Sequence, residues 1–537
     1  MMFAAYAECE RQRVCWGDRG DGREQGDDIE MSRQASGFIS AQSARATWPK
    51  IGGVAILVLV AAAVGAASTT SQGVEVVGLL VLLAMLVGAV VWFGRDPTGV
   101  FIGIWLIEVA QAPLSAAVGY ESSAGVAVRQ SSDVMVVLIL GLAIWRSLSR
   151  ERQTNLLRVV IPGCLLLLFG LLSALANHAS ANVSIEGMWL GIKFWTLIAV
   201  AVLLPWKARD PDRIYRALMC SGLVVAIFGL IEYFGHGIVA SALHTNSPQA
   251  SIGSYRANAV QSILSFPGEF SLFMSLMVAV SAARYMSRRR LVDLSLFLLF
   301  TISVFLSLRL KGVLSIGAVI IVVALCRGRA NRSNFVPAVL LGILLGIFAF
   351  SFEGTVISRQ VESYSNSGTT ARGDLYRVGA EIANEDFPLG VGFGRFASDT
   401  SRTHYSTVYG EYGLSGVYGL ERSYPNYIDD TTWPSVMGET GYAGLLAYTL
   451  GLLLLVVMLY RRLKLANREL AWLPLAGLCV IAVMLVDSLG DPTFFEWRAV
   501  TLAALIIGPA LVVNRLQRKD GSGVPEQLDD VTTSVGP

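Results

Sequence analysis

Seven ionisable residues, Glu108, Lys193, Glu232, Glu269, Arg309, Asp487 and Arg498, stand inside long apolar stretches of this sequence. At the centre of a bilayer such a residue costs about 2.5–3.5 kcal/mol on insertion scales, so its placement carries information about function. A second set is cationic: Arg256, Arg309, Lys311, Arg372 and Arg377. The planar arginine fork donates two parallel hydrogen bonds to a phosphate, and lysine adds a point charge. Together they suit a substrate that carries phosphate at the membrane surface, such as a polyprenyl diphosphate. For Arg256 and Arg377 a solvated loop charge is the competing reading; Arg309, flanked by apolar helix, has less access to that alternative.

The elements that must position these groups are membrane helices. Of the 537 residues, 54% are apolar and 15% charged, and the mean hydropathy is +0.56, which excludes an ordinary soluble domain. Helices satisfy every backbone amide within their own segment and about 20 residues cross the hydrocarbon layer. Apolar runs predict spans at 51–67, 74–93, 98–113, 133–147, 159–176, 188–206, 214–234, 262–283, 292–308, 312–326, 335–352, 434–459, 471–488 and 497–513. The expected fold is an all-α polytopic membrane protein with about 14 transmembrane helices (12–14) and one large ordered extracytoplasmic loop. Residues 1–50 and 514–537 are expected to be disordered cytoplasmic tails around spans at 51–352 and 434–513 and the loop at 353–433. Residues 1–50 hold no apolar signal stretch, so the first span is expected to start insertion itself, and Met31 is an alternative start.

Basic residues set the orientation, because short loops rich in Lys and Arg stay in the cytoplasm. With the N-terminus inside, 30 of the 42 fall on inner segments and 10 on outer ones. Net charge is only +2, so the asymmetry is topological and gives no reason to expect nucleic acid. In this topology all seven buried ionisable residues lie in the outer part of their spans, and His178, His236, His244 and His404 lie in outer loops. Snorkelling to the interface accounts for some of these, Glu232, Asp487 and Arg498 above all, but it would populate both ends. The asymmetry points to a polar cavity open to the outside. A transporter would place polar residues near the midplane of paired broken helices, and a channel would show a ring of like charge. No cysteine falls in an outer loop, so no structural disulfide is expected.

About 80 residues, 353–433, separate two spans, and connections of such length are functional or disordered. Twelve aromatic residues from Tyr364 to Trp433 argue for order. Leu375, Val378 and Ile382 follow helical spacing over 374–384, Pro388 stops that helix, and Gly390, Gly392 and Gly394 make a tight turn.

These segments resemble the O-antigen ligase and O-antigen polymerase superfamily, which builds bacterial surface polysaccharides. The likeness runs over about Arg256 to Leu463 and rests on several motifs in order. They are Phe266-Pro267-Gly268-Glu269-Phe270, the stretch from Ser307 through Leu310 into an apolar span, and Thr370-Ala371-Arg372-Gly373-Asp374-Leu375-Tyr376. Next come Pro388-Leu389-Gly390-Val391-Gly392-Phe393-Gly394-Arg395-Phe396 and then Glu439-Thr440-Gly441-Tyr442-Ala443-Gly444. The resemblance implies a metal-independent, inverting glycosyltransferase with no cofactor. Its substrates would be a glycan on undecaprenyl diphosphate and a glycan or lipid acceptor hydroxyl, at the outer face of the cytoplasmic membrane. Arg309 and Arg372 stand where the family holds the diphosphate, and Glu439 opens the matching motif on the next span.

The sequence departs from the family at the general base. Ligases carry a histidine about nine residues before the E-x-G motif; here that position is Asp430, with Asp429 beside it. A carboxylate takes a proton from the acceptor only where burial lifts its pKa toward the working pH. Asp430 is the first candidate base and Asp429 its rival; helix capping, or a cation site with Glu439, are the alternatives. His404 lies outside any matching motif. The lost histidine favours a polymerase over a ligase, and transfer to protein or transport of the lipid-linked saccharide remain as competing functions.

Overall fold

A computed structural model describes residues 96–119, scattered positions over 122–141, and 154–235, 238–242, 249–252, 255–326 and 370–519. The spans expected at 51–67, 74–93 and 335–352, both expected tails apart from residues 514–519, and loop residues 353–369 lie outside the described residues. The described chain is helical: α1 Pro97–Val118, α2 Thr154–Ala176, α3 Ala181–Leu203, α4 Asp210–Phe234, α5 Pro267–Arg288, α6 Leu291–Leu306 and α7 Leu310–Cys326. After these come α8 Ala371–Glu385, the short α9 Asp399–Thr403 and α10 Val408–Glu411, then α11 Thr432–Leu465, α12 Trp472–Asp487 and α13 Trp497–Leu511. One antiparallel hairpin, β1 Gln249–Ile252 with β2 Tyr255–Asn258, precedes α5.

Six of the described helices, α1 to α5 and α11, are long and apolar enough to cross a membrane. The other apolar helices, α6, α7, α12 and α13, have 15 to 17 residues, about 24 Å at 1.5 Å per residue. Of these, α6 and α13 stop short of the spans expected at 292–308 and 497–513, because Leu308 takes φ 53 and Val512 takes φ −109 and ψ 17, both outside helical geometry.

Outward-facing residues show which solvent these helices meet. Leu157, Ile161, Leu165, Leu168, Leu172 and Leu175 form an exposed stripe at three- and four-residue spacing down α2, and Leu446, Leu450, Leu453 and Val457 another on α11. Apolar stripes of that length on the outside of a bundle match a hydrocarbon environment. The interior is ordinary close packing. Every residue of α5 from Phe270 to Arg284 is buried, as is all of α13 from Arg498 to Leu511, so these two helices form the axis around which the others pack.

Local sequence explains the helix starts. Asp96 accepts from Gly99 N at 3.1 Å ahead of Pro97, and Pro267 opens α5 with Glu269 in its first turn, both favourable at a helix N-terminus. Thr370 accepts from Gly373 N at 3.3 Å to cap α8, and that helix buries the Leu375, Val378 and Ile382 face read from the sequence. These residues join Phe396, Tyr409, Leu414, Leu420 and Ile428 in a second apolar core distinct from that of the bundle.

Candidate functional site

The glycine turn after α8 is wedged between α2, α3 and a break in α11. Gly441 has φ 67 and ψ −169 inside α11, a conformation almost confined to glycine. The break frees carbonyls that the turn then uses: Val391 N donates to Gly438 O at 2.9 Å and Gly392 N to Glu439 O at 3.0 Å, while Ala443 N donates to Pro388 O at 3.1 Å. Asn177 Nδ2 donates to Gly390 O at 2.9 Å, and Gly390 N donates to Ser173 Oγ at 3.1 Å. Phe393 then enters the bundle between Gly170 and Gly191, where any larger side chain would meet its ring. The two sequence motifs are thus halves of one joint, which fixes the loop to the bundle.

Glu439 is part of that joint. It is 4% exposed, and its carboxylate accepts from Ser398 Oγ at 2.7 Å and Phe396 N at 3.3 Å, with the Gly394 and Arg395 amides adding to the set. Three consecutive amides turned on one carboxylate make an anion nest. Its contacts are with the loop.

At the same end of the bundle three cations converge from elements far apart in sequence. Arg309 lies in the α6–α7 connection, where Leu308 takes φ 53; Lys311 is in the first turn of α7; Arg372 is in the first turn of α8. Arg309 and Arg372 both lie within electrostatic reach of Lys311. Lys311 Nζ pairs with Asp487 at 3.2 Å and, more closely, with Asp491. Arg372 donates to Asp430 at 2.8 Å. Tyr376 Oη donates to Leu489 O at 3.1 Å and Trp433 Nε1 to Ser488 Oγ at 3.0 Å, which seats the start of α8 over the α12–α13 connection.

Behind this cluster is a second, deeper one. Arg498 pairs with Glu269 and, at 3.5 Å, with Glu496, and its Nε donates to Glu108 O at 3.1 Å. Thr501 Oγ1 donates to Glu108 Oε1 at 2.8 Å. Lys193 Nζ donates to Phe495 O at 3.0 Å and lies 4.0 Å from the centre of the Trp497 ring. Six of the seven ionisable residues noted in the sequence therefore meet in these two clusters. Glu232 instead accepts from the Ser262 and Gln261 amides, away from both. Sequence reasoning passes over Asp491 and Glu496; the available signal is that Asp491 stands only four residues beyond Asp487, in the turn just past the end of α12.

The two candidate bases have different surroundings. Asp430, the first choice, is held by Arg372. Asp429 lies 3.4 Å from Arg402, and burial pushes its pKa up to about 6, outweighing the nearby Arg402 guanidinium. Thr431, and neither aspartate, occupies the N-cap of α11. With Asp430 on Arg372, Asp429 on Arg402 and Glu439 in the amide nest, the three carboxylates face different partners. Among the described residues, no three His, Cys, Asp or Glu side chains gather as a metal site would require.

The remaining candidates lie apart. Arg377 is 54% exposed on α8 and pairs with Asp374 at 3.2 Å and Glu381 at 3.3 Å, the solvated charge that was the competing reading for it. Arg256 stands opposite Ser251 in the hairpin. His404 Nε2 is 2.9 Å from Glu186 at the start of α3. Compared with known proteins, the chain matches no family model, and no curated protein matches it in sequence.

Proposed function

We propose that the chain is a membrane glycosyltransferase of the O-antigen ligase and polymerase type. It would transfer a glycan from undecaprenyl diphosphate to an acceptor hydroxyl at the outer face of the cytoplasmic membrane. In this reading the chain crosses the bilayer about fourteen times with both ends in the cytoplasm, and residues 353–433 form the extracytoplasmic loop. The observation that carries the proposal is the meeting of Arg309, Lys311 and Arg372 at one end of an apolar bundle, beside two aspartates of different environment.

The chemistry follows from that arrangement. The acceptor oxygen attacks the anomeric carbon from the face opposite the diphosphate, the bond from that carbon to the phosphate oxygen breaks, and the configuration inverts. The departing diphosphate carries the electron pair, and fixed cations in a site with little water stabilise it as charge develops. Asp429 accepts the proton of the acceptor hydroxyl, since its pKa of about 6 leaves it ionised yet basic near neutral pH. Asp430 holds Arg372 in place. At rest Asp430, Asp487 and Asp491 balance the cations, which avoids an uncompensated buried charge; the diphosphate takes over that role on binding.

A broken helix inside a bundle is also a feature of transporters. Here the carbonyls freed at Gly441 are occupied by Val391 and Gly392, which leaves them no ion to hold and favours transfer over transport.

The test is analysis of lipid-linked and surface polysaccharide in a deletion strain carrying wild type or Arg309→Ala. Single repeat units accumulating on the carrier would identify a polymerase, and long chains retained on it a ligase, with the variant failing to rescue. Unchanged polysaccharide after deletion, or full rescue by Arg309→Ala, would defeat the proposal.

A further inference from the structure

Between α10 and α11 the chain displays three tyrosines on its surface. Tyr418 is 67% exposed, Tyr424 39% and Tyr427 36%, yet the rings are packed on one another. Tyr418 and Tyr424 stack with centroids 5.3 Å apart and planes 27° apart, and Tyr427 meets them edge-on at 6.0 and 6.4 Å. The backbone beneath is built to hold them. Tyr427 N donates to Gly419 O at 2.9 Å and Tyr424 N to Glu421 O at 3.0 Å. Gly419 has φ 86, and a Cβ there would collide with the Tyr427 ring, so the ring seats against bare backbone. Ile428, fully buried, pins the next residue into the loop core.

We propose that Tyr418, Tyr424 and Tyr427 form a platform for a sugar ring of the glycan. This rests on the transferase reading and extends it to a specific subsite. The electron-rich face of an aromatic ring attracts the electron-poor C–H face of a pyranose, and a phenol adds a hydroxyl at the rim. Glu421, with Ser423 Oγ donating to it at 3.1 Å, and the exposed Arg422 supply further groups suited to sugar hydroxyls. Tyrosine also anchors proteins at a membrane interface, but an acyl chain has no hydroxyls for the acid, arginine and serine beside these rings, and a sugar does. Position agrees: Tyr427 precedes Asp429 by two residues, at most about 7 Å along the chain. A glycan seated on the rings places its next unit within reach of the proposed base. Tyrosine also provides rigid contact area with little conformational freedom to lose.

Saturation-transfer NMR on the full chain in detergent micelles tests this. The probe is a set of oligosaccharides released by mild acid from the surface polysaccharide of the encoding cell. Saturation is expected to reach sugar C–H protons from the wild type and from a Tyr418→Phe, Tyr424→Phe variant. It should weaken with an affinity loss of about tenfold or more when both residues become Ala. No transfer to the sugars from wild type, or equal transfer from the alanine variant, would overturn the platform. So would protection of the tyrosines by lipid vesicles in place of oligosaccharide, or loss of self-association as the only effect of the alanine variant. Sugar binding that survives while Arg309→Ala leaves polysaccharide unchanged would spare the platform and remove the transferase reading. Wild-type behaviour of the tyrosine variants beside a defective Arg309→Ala would do the reverse.

Discussion

Arg372 donates to Asp430 at 2.8 Å across 58 residues of chain. One residue comes from the first turn of α8 and the other from the segment leading into α11, so the pair closes the loop over the cation cluster.

If Asp430 acts through Arg372, the two are energetically one unit. Arg372→Ala and Asp430→Ala should each reduce transfer by about tenfold or more, and the double variant should be no worse than the more damaged single. Kinetic measurement on purified protein checks this. Multiplying losses would mean independent roles.

Asp429 gives the pH dependence. Its pKa lies near 6, above the ordinary carboxylate value, because of burial. In the proposed role of base it must be unprotonated, so the rate should fall about tenfold per unit below pH 6 and level off above it. For stability the sign is opposite. The native state binds this proton more tightly than the unfolded chain, so the contribution is full below the unfolded value near 4 and is lost as pH rises through 6. Asp429→Asn should remove most of the rate together with the acid limb. A residual rate with the same limb would assign that titration to another group.

The break in α11 depends on one residue. Gly441→Ala forces a side chain into a glycine-only conformation and against Leu389 O, for an expected loss of about 2 kcal/mol or more. Gly416→Ala, which meets open space, should stay within about 0.5 kcal/mol of wild type. Thermal unfolding in detergent distinguishes them. Equal melting would mean that the joint relaxes freely.

Phe393 anchors the same joint from the other side. Phe393→Ala leaves a cavity between Gly170 and Gly191 that helix backbones cannot fill, a loss of about 3–5 kcal/mol. Hydrogen exchange should rise first in α8 and in the turn around Gly392. Exchange confined to α2 would show that the loop is held elsewhere.

Hydropathy located α1 to α5 and α11 because a helix crossing hydrocarbon must be apolar over its whole length. It overestimated α6 and α13 at their ends, where Leu308 and Val512 are apolar enough to extend a run but leave helical geometry. The α8 face was legible for the same reason as any amphipathic helix. Motif order signalled that Gly390–Gly394 and Glu439–Gly444 matter, but their use was hidden, since the pairing of Val391 with Gly438 is a contact between distant segments. Glu439 illustrates the limit. A buried glutamate beside a cation cluster and one inside an amide nest have the same linear signature. Arg377 and Arg372 likewise differ only in which side of α8 they occupy.

The central claim, that the three cations hold a lipid diphosphate for bond cleavage, is met most directly by reconstitution. Purified chain in proteoliposomes would be given undecaprenyl-diphosphate-linked oligosaccharide, and free undecaprenyl diphosphate and elongated or ligated glycan would be measured together. The account predicts their release in equal amounts by wild type and little of either by Arg309→Ala or Arg372→Ala. Movement of the intact lipid-linked saccharide across the bilayer with no diphosphate released would contradict it.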